Sequence, residues 1–278
     1  MNNNISSIVN ALSIAGFDTS AGAGTLADVK TMSSLGVYAC AVLTAVTAQN
    51  TNGVYGIEYM PKGFIAKQID TIFNDIKIKA VKIGMLGKSD IVIEVGESLL
   101  KWKPSHIILD TVMISKHGNY LLEHESTETL IEYLIPMATI ITPNLPEAAS
   151  IIKERPAENI TEMRQTVKKL HNKMTIKSSD TNKWVILKGG HLPGNEMVDI
   201  IFDGINMTEI FGNKIITNNT HGTGCTLSAA LTALLAKGES VLNASIHAKE
   251  FLTKSIEESN RLNIGNGYGP LHHFYKYY

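Results

Sequence analysis

Six consecutive residues, His221-Gly222-Thr223-Gly224-Cys225-Thr226, precede the apolar run Leu227-Ser228-Ala229-Ala230-Leu231. Two glycines two positions apart let the backbone turn so that successive N–H groups point one way. The run that follows reads as a helix, and a helix start carries roughly half a positive charge. Gly222, Thr223 and Gly224 are therefore a candidate cradle for an anion, including one developing on a transferring phosphoryl group. Cys225 falls in the first turn. A free thiol has a pKa near ~8.5 that a helix N-terminus lowers, which makes the sulfur a candidate acceptor for a hydroxyl proton. A glycine-rich loop beside a small buried cysteine would use the same letters.

Other segments offer polar groups after strand-like runs. Lys188-Gly189-Gly190-His191 places a lysine on a glycine-rich turn, able to reach a phosphate or to stand solvated at a strand end. Asp110 arrives at the end of Ile107-Ile108-Leu109. In Thr142-Pro143-Asn144-Leu145-Pro146-Glu147-Ala148 the grammar is that of a helix start. Asn144 caps, Pro146 suits the first turn, and Glu147 stands near a capping-box position. Glu147 alternatively orders water on a magnesium ion beside phosphates. Gln49-Asn50 can read the donor and acceptor edge of a heterocycle or fill a loop. Gly22-Ala23-Gly24 permits close approach of a ligand, but Ala27 stands at the third glycine position of a dinucleotide fingerprint. Asp18 and Asp28 read as caps or surface carboxylates. A Gly-x-x-x-x-Gly-Lys-Ser/Thr phosphate loop is absent.

The elements that must hold these groups alternate between short β-branched runs and longer helical periods, the signature of βαβ units and a parallel sheet. Strands are predicted over 8–14, 37–47, 54–60, 80–83, 107–109, 139–142 and 184–187. A β-meander over 197–202 and 207–211 turns at Asp203-Gly204. Helices are predicted over 25–35, ending at a left-handed Gly36, and over 62–73 behind Pro61. Further helices cover 89–101, capped by Ser89 or Asp90, then 123–134, 146–153, 162–172, 224–236 and 241–259. Ligands of such a sheet bind at the carboxyl ends of its strands, where the polar segments fall.

The 278 residues are 44% hydrophobic and 18% charged, enough for a sizeable core and too apolar for disorder. No repeat or Pro/Gly/Ser linker divides residues 1–278, so a single domain is expected. Net charge is -1 with no block of like charge, which argues against a nucleic-acid partner. No run approaches the ~20 apolar residues of a membrane span, and the start lacks the basic and apolar regions of a signal peptide. Two distant cysteines, Cys40 and Cys225, do not make a disulfide scaffold. A cytoplasmic protein is expected.

Together these segments resemble the ribokinase superfamily, and within it the hydroxymethylpyrimidine/phosphomethylpyrimidine kinases of thiamine biosynthesis. The resemblance runs from Ala11 to Phe274. Besides the segments above it is carried by Ala15-Gly16-Phe17-Asp18 through Gly24, Thr44-Ala45-Val46-Thr47-Ala48-Gln49-Asn50, Lys82-Ile83-Gly84-Met85-Leu86, Leu109-Asp110-Thr111-Val112-Met113 and Gly267-Tyr268-Gly269-Pro270-Leu271-His272-His273-Phe274. It implies a three-layer α/β/α sandwich with a mostly parallel central sheet, ATP and Mg2+ as cofactors, and a homodimer. The substrate implied is a small molecule, an aminopyrimidine alcohol and then its monophosphate.

The resemblance also assigns roles. Gln49 would hydrogen-bond the pyrimidine, with Met85, Gly16, Asp18 and Val112 lining the pocket. Lys188 would contact ATP phosphates beside Asn144 and Thr220, and Glu147 with Asp110 would organise magnesium. Gly222, Thr223 and Gly224 would form the anion hole, with Cys225 where most ribokinase relatives carry a catalytic aspartate. Phe17 and Thr111 depart from the Ser-Asp-Pro-Ser-Gly-Gly and Asp-Pro-Val-Met patterns of the family, and Phe17 would bear on substrate preference. Pyridoxal kinase is the nearest alternative enzyme. One cysteine-using group of pyridoxal kinases carries a second cysteine in a lid where this chain has Ser115, and the Ser115–Leu121 stretch would be that lid. A regulator that kept the fold and lost catalysis would lack Cys225, Lys188 or the glycines, and all are present.

Overall fold

A computed structural model of the chain describes residues 7–113, 124–178, 182–194 and 196–278. The Ser115–Leu121 lid expectation lies outside the described residues. In chain order the strands are β1 (Asn10–Asp18), β2 (Tyr38–Asn50), β3 (Gly53–Tyr59), β4 (Ile78–Ile83), β5 (Ile107–Leu109), β6 (Ile140–Ile141), β7 (Trp184–Lys188), β8 (Glu196–Phe202) and β9 (Met207–Asn213). The helices are α1 (Gly24–Ser34), α2 (Phe64–Asp75), α3 (Ser89–Trp102), α4 (His124–Thr129), α5 (Leu145–Ile152), α6 (Ile160–Thr175), α7 (Thr223–Ala236) and α8 (Val241–Glu257).

Among the described residues these strands form one sheet in the order β3-β2-β1-β4-β5-β6-β7-β8-β9. Pairing is parallel from β2 to β7 and antiparallel at β2–β3, β7–β8 and β8–β9. The inner strands are short and apolar on both faces, because helices cover both. Alternation sorts them: Leu12, Ile14, Val81, Ile83, Leu109 and Val185 pack with α2, α3, α5 and α6. Ala11, Ala80, Ile108, Ile140 and Ile186 face the other way, against α1, α7 and α8. The expected three layers are present.

α7 is buried along its length from Thr226 to Ala236. Its alanines let it lie close to the sheet, and its leucines each contribute on the order of 1.5–3 kcal/mol by leaving water. This packing anchors the α7 N-terminus at the carboxyl edge of the parallel strands, where β1, β4, β5, β6 and β7 all end.

Four local expectations need correction. α2 begins at Phe64 rather than Lys62, because Gly63 takes the cap position with φ +79 and turns the chain after Pro61. The cap of α3 is Lys88, without a side-chain hydrogen bond, and Ser89 is its first helical residue. The helix expected over 123–134 is α4 followed by a π-helical turn, Leu130–Leu134. Asp28 is neither a cap nor a surface carboxylate: it is wholly buried on α1.

Candidate active site

Three groups of side chains meet at the carboxyl edge of the sheet. The first surrounds Asp110, which β5 delivers as expected. Its Oδ1 lies 3.4 Å from Lys188 Nζ and 3.3 Å from Thr142 Oγ1, at the ends of β7 and β6. Its Oδ2 accepts from Ser228 Oγ at 3.1 Å, one turn into α7. A methyl group placed on Gly224 would lie 3.6 Å from both Asp110 Oδ2 and Lys188 Nζ. The lysine, the aspartate and the helix start therefore share one small space. Burial would lower the Lys188 ammonium, but Asp110 and Glu147 outweigh it and hold the lysine charged.

Glu147 stands beside this group on α5. Both halves of the capping box are present: Asn144 Oδ1 accepts from the Glu147 N–H at 2.8 Å, and Glu147 Oε2 accepts from the Asn144 N–H at 2.9 Å. Thr111, standing where the family pattern has proline, donates to the same Oε2 at 3.1 Å. Burial pushes the Glu147 carboxyl up to about 6, with Lys188 opposing and Asp110 adding to the rise. So the helix-start reading of Asn144 and Glu147 is correct, and it also points a carboxylate toward Lys188.

These residues fit a magnesium ion. Mg2+ takes one or two protein carboxylates and completes its shell with water and substrate phosphates, rather than using an all-protein cage. Asp110 and Glu147 are two such carboxylates. Among the described residues there is no cluster of three or more acidic, histidine or cysteine ligands, the set a resident structural metal would need.

The second group lies where α1 and α7 begin. Gly222 has φ +85, and a Cβ there would come within 1.9 Å of Gly22 O, so the two glycine turns touch. Cys225 is partly buried beside them, and the Gly24 N–H faces its thiol closely enough to favour the thiolate. Its thiol is not lowered as the sequence suggested. Burial pushes it up to about 11, and the Lys82 ammonium and the Gly24 N–H do not overcome that. A desolvated thiolate near Asp28 and Asp110 costs more than a helix start returns. Beneath it, Lys82 Nζ lies 2.8 Å from both oxygens of Asp28, and Ser13 also donates to that carboxylate.

The third group joins Asp18, His221 and Gln49. His221 Nε2 lies 2.7 Å from Asp18 Oδ2 and 3.2 Å from the Gln49 carboxamide. Asp18 also accepts from Ser20 and the Ala23 N–H, so it braces the loop rather than facing outward. Met85 and Gly16 adjoin: a Cβ on Gly16 would lie 3.0 Å from Met85 Sδ. Met85 O accepts from Thr44 Oγ1 at 2.7 Å. Val112 follows Asp110 in a tight turn, its N–H donating to Asp110 O at 2.8 Å. Thr220 lies on the turn before His221, its N–H donating to Asn218 O, and no described hydrogen bond joins it to Lys188 or Asp110.

Sequence reasoning left Lys82, Ser228, Thr142 and His221 without roles. Only Lys82 gave a signal, as a lysine inside an apolar strand. Asp199 was also missed: it pairs with Lys188 across β7–β8, accepts from the Gly189 N–H at 3.0 Å, and is ion-paired to Lys249. It fixes the turn that carries Lys188.

Known proteins are similar to this chain over nearly its whole length. A family model described as phosphomethylpyrimidine kinase matches residues 18–272. A Bacillus subtilis hydroxymethylpyrimidine/phosphomethylpyrimidine kinase is 42% identical over 96% of this chain and 96% of its own. One from Rhizobium meliloti is 41% identical over 96% of this chain and 98% of its own. Among solved structures, an ADP complex of Bacillus subtilis pyridoxal kinase superposes with a TM-score of 0.86 at 35% identity, covering 96% of this chain and 98% of the other. The glycine-rich start of α7, the lysine that ends β7 and the carboxylates after β5 and β6 are thus set in a ribokinase-like kinase, and the chain belongs to the phosphomethylpyrimidine kinase family.

Proposed function

We propose that the chain transfers a phosphoryl group from ATP to the primary alcohol of 4-amino-5-hydroxymethyl-2-methylpyrimidine, and then to the monophosphate so formed, supplying the pyrimidine diphosphate for thiamine biosynthesis. The observation that carries this reading is the meeting of Lys188, Asp110 and the start of α7 around Gly224. A positive side chain and free helix N–H groups there stabilise charge on the phosphoryl oxygens as it moves. Gln49, Met85, Gly16, Asp18 and Val112 hold the ring on the β1–β2 side. Lys188, Asn144 and Thr220 hold the nucleotide phosphates. Asp110 and Glu147 would hold a magnesium ion, which would supply positive charge against that of the phosphates.

Cys225 stands between the two sides and takes the hydroxyl proton. With the thiol at about 11, it must first give its own proton to water, and the thiolate so formed then accepts the proton of the alcohol. A loose transition state tolerates this, because the alcohol loses its proton late.

The relatives' names support the pyrimidine, and the pyridoxal kinase neighbour supports a second reading, in which pyridoxal is also phosphorylated. Mass spectrometry after incubation with ATP, magnesium and each alcohol separates them. Two successive phosphoryl additions to the pyrimidine are expected; addition to pyridoxal alone would favour the second reading. ATP left unconsumed with both would favour a regulator. We further propose a cytoplasmic homodimer. Its support is the resemblance, the exposed Tyr55 on the edge strand β3, and that no described helix is long and apolar enough to cross a membrane. Light scattering of the purified chain tests the dimer.

A further inference from the structure

We propose that His221 sets the direction in which the Gln49 carboxamide faces, and so decides which hydrogen-bond pattern the ring pocket accepts. This rests on the reading that Gln49 contacts the ring. His221 Nε2 lies 2.7 Å from Asp18 Oδ2, with both side chains almost wholly buried. Asp18 is ionised: although burial opposes it, hydrogen bonds from His221 and Ser20 hold its carboxyl below the usual range. A carboxylate only accepts, so the proton of this bond sits on Nε2.

That proton decides the neighbour. One end of the Gln49 carboxamide lies 3.2 Å from the same Nε2. An N–H facing an N–H would repel, so this end is the oxygen. The other end lies 3.1 Å from Thr47 Oγ1. With the amide oxygen turned to His221, the single hydroxyl proton of Thr47 goes to Phe17 O at 3.0 Å, and the Thr47 oxygen accepts from the amide NH2. The Asp18–His221 bond fixes the orientation, and the Thr47 hydroxyl accommodates it. Amide oxygen and nitrogen are alike in shape, and only such a network tells them apart.

Gln49 then presents its remaining N–H and its remaining oxygen lone pair in a fixed order. An aminopyrimidine offers a ring nitrogen acceptor beside an amine donor. A pyrimidinone, with carbonyl in place of amine, offers the reverse and would leave buried groups unpaired. His221 cannot swing away to release the amide: a Cβ on Gly22 would lie only 2.3 Å from its ring, and its backbone N–H donates to Gly269 O at 3.0 Å.

The test compares kcat/KM for the aminopyrimidine alcohol and its 4-oxo counterpart, with the KM for ATP recorded alongside. The wild-type chain is expected to prefer the amine at least about a hundredfold. His221→Leu should lower that preference about tenfold or more while the KM for ATP changes less than about threefold, and His221→Gln, which keeps an N–H donor, should retain it. Should His221→Leu fail to fold, Thr47→Val frees the other end of the amide and is expected to lose the same preference. Full preference in the folded variant tested would overturn the proposal. Gln49→Ala separates the two failures. If it too keeps the preference, Gln49 does not read the ring; if it alone loses it, the ring contact stands and the role of His221 falls.

Discussion

Lys82 Nζ lies 2.8 Å from both oxygens of Asp28, and neither side chain touches solvent. β4 supplies the lysine and α1 the aspartate, so the pair ties the sheet to the helix whose first N–H meets Cys225. Ser13 of β1 completes the carboxylate's hydrogen bonding.

Removing one partner leaves the other charged and buried. Asp28→Leu or Lys82→Met alone is expected to destabilise the chain by about 3–5 kcal/mol. The double variant, with two apolar side chains in place of the ions, should recover most of that loss. Urea unfolding of the four proteins measures the coupling, and equal, additive losses would contradict it.

Gly222→Ala tests the contact between the two glycine turns. Its φ is +85, and the added Cβ would come within 1.9 Å of Gly22 O. The turn must open, which moves the N–H groups proposed above to face the phosphoryl oxygens. Turnover should fall by about 10²-fold or more, since losing one well-placed donor already costs that much. Steady-state kinetics of the folded variant decides it.

How much of this was legible beforehand depended on the range of the interaction. Gly36 announced the end of α1, Asp203-Gly204 the β8–β9 turn, and Asn144 with Glu147 the capping box, because each rests on residues a few positions apart. That Asp110 and Lys188 stand near each other was legible because a parallel sheet brings its strand ends together. Partners distant in sequence were not legible. Asp28 looked like a surface carboxylate until Lys82, 54 positions on, was seen opposite it. Asp18 and His221 are 203 apart. The sign of the Cys225 shift also escaped, because it depends on how dry the surroundings are, and a helix start alone does not report that.

The thiol itself gives a direct measurement. A group at about 11 is almost entirely protonated at neutral pH, and the thiolate is the reactive form. Alkylation of Cys225 in the ligand-free chain, followed by peptide mass spectrometry, should be slow at pH 7 and rise about tenfold for each pH increment toward 10. A rate already level by pH 8 would contradict the assignment. Cys225→Ala is expected to cut turnover by about 10² or more and leave ATP binding largely intact.

Glu147 sets function against stability. Its carboxyl, ordinarily near 4.5, is raised to about 6 in the folded chain, chiefly by burial. The folded state therefore holds this proton more tightly than the unfolded state does. Below about 4.5 the group is neutral in both and has no effect. As pH rises from 4.5 through 6, ionisation favours the unfolded chain, and above that range the cost levels at about 2 kcal/mol. Gln at this position can still accept from Asn144 and Thr111, because glutamine also serves in a capping box. Glu147→Gln should thus be more stable than the wild type at pH 8, by about 1–2 kcal/mol, with no gain at pH 4.5. The same variant loses a carboxylate facing Lys188 and should bind magnesium–ATP more weakly. Denaturant unfolding at the two pH values, with nucleotide titration at pH 8, reads both effects. A variant less stable at pH 8 would mean that the ionised carboxylate supports the fold.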